Sequence, residues 1–351
     1  MEVKGEIKME RKLASLKEIT AIENIKKADF IELAVLKGWK TVVSKDSYKV
    51  GDIVIYLEID SLIPINNLTE HLGEYCKTVT RDGEEYYRIK TVKLRGEYSQ
   101  GIILDPKIFL NDINKYQIGE DLTEILGIKL YDPFSEISST YSVGNVDSKG
   151  LFPYFIQKTD QERVQNLDEI PNISFELTEK LDGTSCTFFI KDGEVEICSR
   201  NFEKKLGVKN GYTRIYTKYV DVLTKWHHQT GKNIAIQGEL IGVKIQRNPY
   251  KLANQQWHVF DVFNIDKQRY YTPKKCRDLC KILGLFHVPI INTSYKFQGI
   301  EREIKLADGK SSMCDGYRER EGVVFKSNAY IEGNIFSFKI VSNKYLEKHN
   351  L

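Results

Sequence analysis

The sequence predicts an α+β protein with two successive domains, a small β-barrel followed by antiparallel sheets with flanking helices. Three observations carry that prediction. The first 110 or so residues hold short alternating segments cut by turn residues, and a polar stretch without periodicity follows up to about residue 150. Beyond it, strand-type segments alternate with two segments of helical period. A chain of 351 residues with 41% hydrophobic and 29% charged content also exceeds what one core holds comfortably.

In the first domain, strands are expected over 30–35, 39–43 and 53–59, with a turn at Lys49-Val50-Gly51-Asp52 before the last. A further strand over 86–94 turns at Arg95-Gly96 and returns through 100–104. Lys90, Lys93 and Arg95 crowd this segment behind Tyr86 and Tyr87, a mixture suited to nucleic-acid phosphates beside aromatic stacking surfaces. A lysine-rich, solvated edge strand explains the same residues equally well. Asp132-Pro133, Ser138-Ser139 and Gly144 mark the connection, which divides the chain into 1–145 and 146–351.

The second domain opens on Thr159-Asp160-Gln161-Glu162, a capping-box spacing that predicts a short helix toward Leu167. Then comes Lys180-Leu181-Asp182-Gly183. A lysine attacks a nucleotide α-phosphate only when neutral, and its unperturbed pKa of about 10.4 keeps it charged. Lowering that to about 7 or 8 takes roughly 4 kcal/mol, which burial or a nearby metal ion would supply. Asp182 projects to the same side as Lys180 in extended geometry, and Gly183 permits a tight turn beside a nucleotide. Taken alone, an exposed Lys-Leu-Asp-Gly turn is the better explanation.

Its surroundings reverse that preference. A hairpin over 186–198 turns at Lys191-Asp192-Gly193 and sets Arg200 opposite Ser185, near the Lys180 loop. A strand over 233–241 puts Gln237 and Glu239 on one face, and an aromatic strand over 257–263 carries Phe260, which stacks on a base or sits in the core. Residues 321–326 and 335–341 form a hairpin with Glu321 at one strand end and Lys339 inside an otherwise apolar strand, where a charge generally has a ligand.

Two helices flank these strands, over 212–229 and 273–283, the latter with Cys276, Leu279, Cys280 and Leu283 inward and Gly284 as cap. His227 and His228 are helix neighbours and point apart, so they suit a surface role better than a metal. Six cysteines without Cys-x-x-Cys spacing read as buried, inert thiols. The net charge of +3 is silent on partners, and no apolar run reaches the 18 or so residues of a membrane span. The charged N-terminus lacks an apolar signal region. An intracellular protein, cytoplasmic or nuclear and not secreted, is expected.

From 152 to about 346 the order of elements resembles the covalent nucleotidyltransferases, specifically ATP-dependent RNA ligases. Lys180-Leu181-Asp182-Gly183 resembles their nucleophile motif, Ser199-Arg200-Asn201 the next, Gly238-Glu239 the third and Val259-Phe260-Asp261 the base-stacking motif. Glu321 to Lys326 resembles the fourth motif, and Ser337-Phe338-Lys339 the fifth, which commonly reads Lys-x-Lys. The segment around Phe152-Pro153 and Lys158 to Arg163 looks like the one preceding the nucleophile in RNA ligases of the phage ligase 2 type. A barrel ahead of the catalytic domain is similar to the Deinococcus and Naegleria type. DNA ligases and capping enzymes carry theirs behind.

The resemblance implies an OB-like nucleic-acid-binding barrel followed by an ATP-grasp-like adenylation domain. It also implies three steps: Lys180 takes AMP from ATP, AMP moves to an RNA 5′-phosphate, and a 3′-OH displaces it. Glu179 and Phe260 would line the adenine pocket, Arg200 would contact ribose or phosphate, and Lys339, alone or with a contribution from Lys344, would meet the α-phosphate. Lys326 would join the nucleotide site. Asp182, Glu239 and Glu321 would hold hydrated Mg²⁺ or Mn²⁺ through its waters. The implied partner is nicked duplex RNA or RNA–DNA hybrid gripped by Lys90, Lys93 and Arg95, with no membrane or protein partner and a monomeric enzyme. Two alternatives stay open: a GTP-dependent capping-type guanylyltransferase, and an RNA-binding protein with a degenerate ligase domain.

Overall fold

The computed structural model describes residues 11–131, 147–314, 318–349 and 351. They fall into two units, Met1–Tyr141 with Leu346–Leu351, and Ser142–Tyr345. The expected boundary between 145 and 146 lies outside the described residues, as do Ser138-Ser139 and Gly144. No described helix is long and apolar enough to cross a membrane.

The first unit is built from short antiparallel strands. β1 (Ala14–Glu18), β2 (Ala21–Asn24), β3 (Ile31–Leu36), β4 (Trp39–Ser44), β5 (Ile53–Leu57) and β6 (Ser61–Pro64) come first. β7 (Lys77–Arg81), β8 (Glu84–Arg88), β9 (Val92–Leu94), β10 (Glu97–Ser99), β11 (Ile102–Leu104) and β12 (Lys129–Leu130) follow. They pair as β1-β5-β11, β2-β3-β4, β12-β6-β8-β7 and the hairpin β9-β10. Trp39, Tyr56, Leu16, Ile19 and Leu33 are buried at their centre, and the Tyr56 hydroxyl donates to the Gln100 carbonyl at 2.6 Å.

Two expectations change here. The strand foreseen over 86–94 is broken, because the Ile89 N–H donates to the Ser61 carbonyl and its own carbonyl accepts from Asp60, which ties 89–91 away from the next hairpin. Phe30 lies outside β3 and is exposed.

The second unit contains two sheets. β13 (Ser148–Leu151), β14 (Glu162–Arg163), β15 (Ser174–Lys180), β16 (Thr184–Lys191), β17 (Glu194–Cys198) and β18 (Phe202–Lys204) precede the helix Gly211–Thr230. β19 (Ile234–Ile241), β20 (Gln256–Asn264) and β21 (Arg269–Tyr270) lead to the helix Pro273–Leu283. β22 (Phe286–His287), β23 (Ile290–Lys296), the helix Ile300–Ala307, β24 (Gly322–Ser327) and β25 (Ser337–Val341) complete it. One sheet runs β13-β18-β17-β16-β19-β20-β21 with β22 added on β20, and the other β14-β25-β24-β15-β23.

Each sheet packs an apolar face into its own core, and the larger sheet carries a second cluster of Phe189, Ala235 and Phe263 on its other face. Phe188, Ile190, Ile236, Trp257 and Val259 pack beneath the two longer helices through Ile215, Tyr219, Leu223, Cys276 and Leu279. On the smaller sheet Phe175, Leu177, Phe325 and Phe338 pack with Ala307, the rings of Phe325 and Phe338 stacked 4.6 Å apart. Burying each such ring contributes about 1.5–3 kcal/mol. The helix Pro273–Leu283 ends as expected on Gly284 at φ 65°. Five cysteines are buried, but Cys76 is only half-buried, its thiol pushed up to about 11 by burial.

The helix foreseen after Thr159 does not form. Glu162 and Arg163 pair in parallel with Phe338 and Lys339 of β25, and a 3-10 turn follows over Val164–Asn166. The Glu162 carboxylate accepts from Asn166 Nδ2 at 2.8 Å, so it serves that turn and not a capping box. Strand pairing along β25 outweighs the local capping signal.

Candidate active site

Residues alternate along a strand, so each sheet that buries one row of side chains presents another. In the second unit these other rows line a common cleft. Thr178, Lys180, Val324, Lys326 and Lys339 come from the smaller sheet, and Ser185, Thr187, Gln237, Glu239 and Phe260 from the larger. A strap of chain bearing Lys158, Thr159, Asp160 and Gln161 lines it as well.

Lys180 ends β15, opposite Gly322 of β24, which places its ammonium against the Glu321 carboxylate in a direct hydrogen bond. Burial pulls the ammonium's pKa down, yet Glu321 first, then Glu239 and Asp182, outweigh it, and the net shift is upward. The expectation of a depressed lysine therefore does not hold for the protein without ligands. The same crowding acts on the carboxylates. Burial pushes Glu239 up to about 8, Lys180 opposing and Glu321 and Asp182 adding to the rise. Glu321 is also raised, by burial first and against the pull of Lys180.

The Lys180 loop is pinned by residues far away in sequence. The Asp182 N–H donates to the Tyr250 hydroxyl at 2.7 Å, and the Asp182 carboxylate faces Arg318 at 3.3 Å. Tyr345 is buried close by, its hydroxyl raised by burial first and then by Glu321 and Asp182. Gly183 is needed for close approach rather than for a left-handed turn, since a Cβ there would lie 2.5 Å from the Leu240 carbonyl and 2.9 Å from the Glu239 side chain. That contact presses the loop onto β19 beside Glu239.

Phe260 faces the cleft at a β-bulge. Gln237 pairs with Asp261 while Gly238 pairs with Val259, leaving Phe260 as the extra residue on β20. Trp257, Val259 and Val262 keep the buried face, and Phe260 lines the cleft. Lys326 lies beneath, its ammonium 2.7 Å from Asp261 and donating to the Phe260 carbonyl at 2.5 Å. Both members of that pair are buried, so each charge has a protein partner.

Glu179 also lines the cleft, but its carboxylate is engaged. It accepts from the Ser311 hydroxyl, from the Ser312 N–H at 2.9 Å and from the Ser312 hydroxyl at 2.8 Å. Arg200 and Lys339 meet the strap residue Asp160, at 3.1 and 3.5 Å. Lys344 is exposed in the segment after β25 and does not line the cleft.

Comparison with known proteins agrees with this arrangement. Residues 173–341 match the RNA ligase family, and residues 13–106 match an OB-fold domain. The Naegleria gruberi RNA ligase with ATP and manganese, as a lysine-to-alanine variant, is 35% identical over 97% of this chain and 99% of that one, with a TM-score of 0.84. The same enzyme with pyrophosphate is 37% identical over 97% and 99%, with a TM-score of 0.82. The chain belongs to the RNA ligase family. No curated protein matches it.

In this ligase the first unit is thus an OB-fold domain and the second an antiparallel-sheet ligase domain. Of the residues foreseen in the first, Lys93 contacts Glu347 at 3.5 Å and lies over the Tyr98 ring, and Arg95 occupies the β9–β10 turn at φ 52°. Lys90 is lowered by partial burial and then by the neighbouring charges of Lys77 and Arg88. Tyr86 and Tyr87 are buried, which removes them as stacking surfaces.

Asp182, Glu239 and Glu321 supply only carboxylate oxygens, the donor chemistry that suits hydrated Mg²⁺ or Mn²⁺. Among the described residues no group of three or more His, Cys, Asp or Glu is arranged to hold a metal ion directly. The upward shift of Glu239 and Glu321 leaves room for added positive charge.

Sequence reasoning missed Tyr250, Arg318, Tyr345 and the Ser311-Ser312 pair, and gave Asp261 no role beyond its place in the base-stacking motif. Only Asp261 carried a signal, as a carboxylate beside Phe260 in an apolar strand.

Proposed function

We propose that this RNA ligase uses ATP and a divalent metal to seal 3′-OH and 5′-phosphate ends at nicks in duplex RNA or RNA–DNA hybrid, through lysyl-AMP and RNA-adenylate intermediates. What supports it best is the Lys180 ammonium ringed by three carboxylates at the edge of a cleft that also offers Phe260, Arg200 and Lys339.

In the first step the Lys180 nitrogen forms a bond to the α-phosphorus as the bond to the β-phosphate oxygen breaks, and pyrophosphate leaves. Glu321, hydrogen-bonded to the ammonium, is placed to take its proton. A bound Mg²⁺ or Mn²⁺ would neutralise phosphate charge and weaken the carboxylates' hold on the ammonium. Phe260 and Val324 offer faces for the adenine, Glu179 bounds the pocket and Lys326 supports Phe260 from behind. Arg200 serves ribose or phosphate, and Lys339 the α-phosphate without the usual companion lysine. The RNA 5′-phosphate then takes AMP from Lys180, and the 3′-OH attacks that phosphate and expels AMP. Lys90, with Lys93 and Arg95, holds the RNA backbone by charge and shape rather than base sequence.

Purified protein incubated with ATP and Mn²⁺ or Mg²⁺ gains the mass of AMP, and Lys180→Ala does not. Labelling with GTP instead of ATP would restore the capping reading. Sealing of nicked duplexes with RNA or DNA on each side of the nick reports the substrate.

A further inference from the structure

Asp160 joins two cations that belong to different sheets. One carboxylate oxygen lies 3.1 Å from the Arg200 guanidinium and the other 3.5 Å from the Lys339 ammonium. All three residues line the cleft. The strap that carries Asp160 is tethered on both sides. Before it, the Gln157 carbonyl accepts from Gln237 Nε2 and from the Tyr270 hydroxyl, both at 2.8 Å. After it, Glu162 and Arg163 are paired to β25. Only Lys158 to Gln161 lie between those anchors, so the carboxylate can leave its partners without the strap leaving the cleft.

A carboxylate with each oxygen on a different cation occupies those cations as a phosphate would. We propose that Asp160 is an internal competitor for the nucleotide's phosphates, covering Arg200 and Lys339 between turnovers and yielding them when an adenine nucleotide enters. The inference rests on the cleft being the nucleotide site. Asp160 and Arg200 are 64% and 68% exposed, and pairs so exposed are weak. The competition therefore lowers affinity several-fold without closing the site. Its use falls at the end of the cycle, where AMP is expelled. Two cations that grip a phosphate also retain it, and the returning carboxylate favours its departure.

The test uses enzyme discharged with pyrophosphate, in wild-type and Asp160→Asn forms. Calorimetry measures AMP and adenosine binding, and initial rates of lysine adenylation give KM and kcat for ATP. The variant should bind AMP about three- to tenfold more tightly, with adenosine unchanged and the KM for ATP lowered by a similar factor. Asp160→Glu should stay near wild type. Unchanged or weaker AMP binding overturns the proposal and makes Asp160 a residue that positions the cations. Equal tightening for adenosine overturns it as well, because phosphate is then not what competes. If wild-type protein binds no adenine nucleotide, the nucleotide site itself is misassigned.

Discussion

Tyr250 and Asp182 are joined by a 2.7 Å hydrogen bond in which the Asp182 N–H donates to the Tyr250 hydroxyl, 68 residues away in sequence. Tyr250 is buried and Asp182 half-buried, so the bond is shielded from water and fixes the backbone two residues after Lys180. Tyr250→Phe leaves that N–H without its acceptor, at a cost of about 1–3 kcal/mol. We expect lysine adenylation to slow roughly tenfold with the KM for ATP nearly unchanged. Single-turnover incorporation of labelled AMP measures it, and a variant with wild-type kcat removes Tyr250 from the positioning of Asp182.

Gly183 tests the same loop from the other side. A methyl group there meets the Leu240 carbonyl at 2.5 Å and the Ile241 side chain at 2.6 Å, and neither backbone can retreat without moving Glu239. Gly183→Ala should reduce adenylation at least tenfold while lowering stability by about 1–3 kcal/mol. Urea denaturation alongside the adenylation assay separates the two effects.

The Lys326–Asp261 pair is a buried ion pair, and removing one member strands the other. Lys326→Met should destabilise the protein by about 3–5 kcal/mol, and adding Asp261→Leu should recover much of the loss. A double-mutant cycle in urea reads this directly. If the double variant is as unstable as the two single losses summed, the pair is not coupled.

His258 gives the fold an acid-sensitive limb. It is buried, its Nε2 is 2.9 Å from Gln256 Oε1 and its ring stacks on Phe286 at 5.3 Å. Burial, first among the causes, lowers its pKa to about 4 from 6.5. A lowered pKa means that the unfolded chain binds the proton first. His258 therefore leaves stability intact above about pH 6.5 and withdraws it as pH falls toward 4, up to about 3 kcal/mol below that. His258→Gln should flatten this limb in urea titrations between pH 7 and 4. An unchanged slope would assign the acid limb to other groups.

Much of the ligase domain was legible because its signals are local. Asp192-Gly193 turns the β16–β17 hairpin at φ 52° and 91°, and Thr187 pairs with Cys198 as the turn requires. Thr272, Pro273 and Gly284 begin and end a helix with its apolar face inward. Glu239 shares a strand face with Gln237 by simple alternation. Local signals also misled. The spacing from Thr159 to Glu162 promised a helix, and a strand 176 residues further on took Glu162 into a sheet, pairing it with Phe338.

The sequence by itself determined which elements form in this domain and which residue types they carry: a lysine ending a strand, carboxylates at strand ends, an aromatic strand behind a tight turn. Backbone preference and side-chain alternation act over a few residues, so they can be read along the chain. Tertiary structure alone decided who meets whom. Sheet register set Glu321 against Lys180, a one-residue bulge returned Val262 to the core while Phe260 lines the cleft, and packing brought Tyr250 and Arg318 to Asp182. These are contacts through space, which depend on the placement of every intervening strand. The charge on Lys180 follows from them: burial alone would lower its pKa, and only the folded arrangement of three carboxylates raises it.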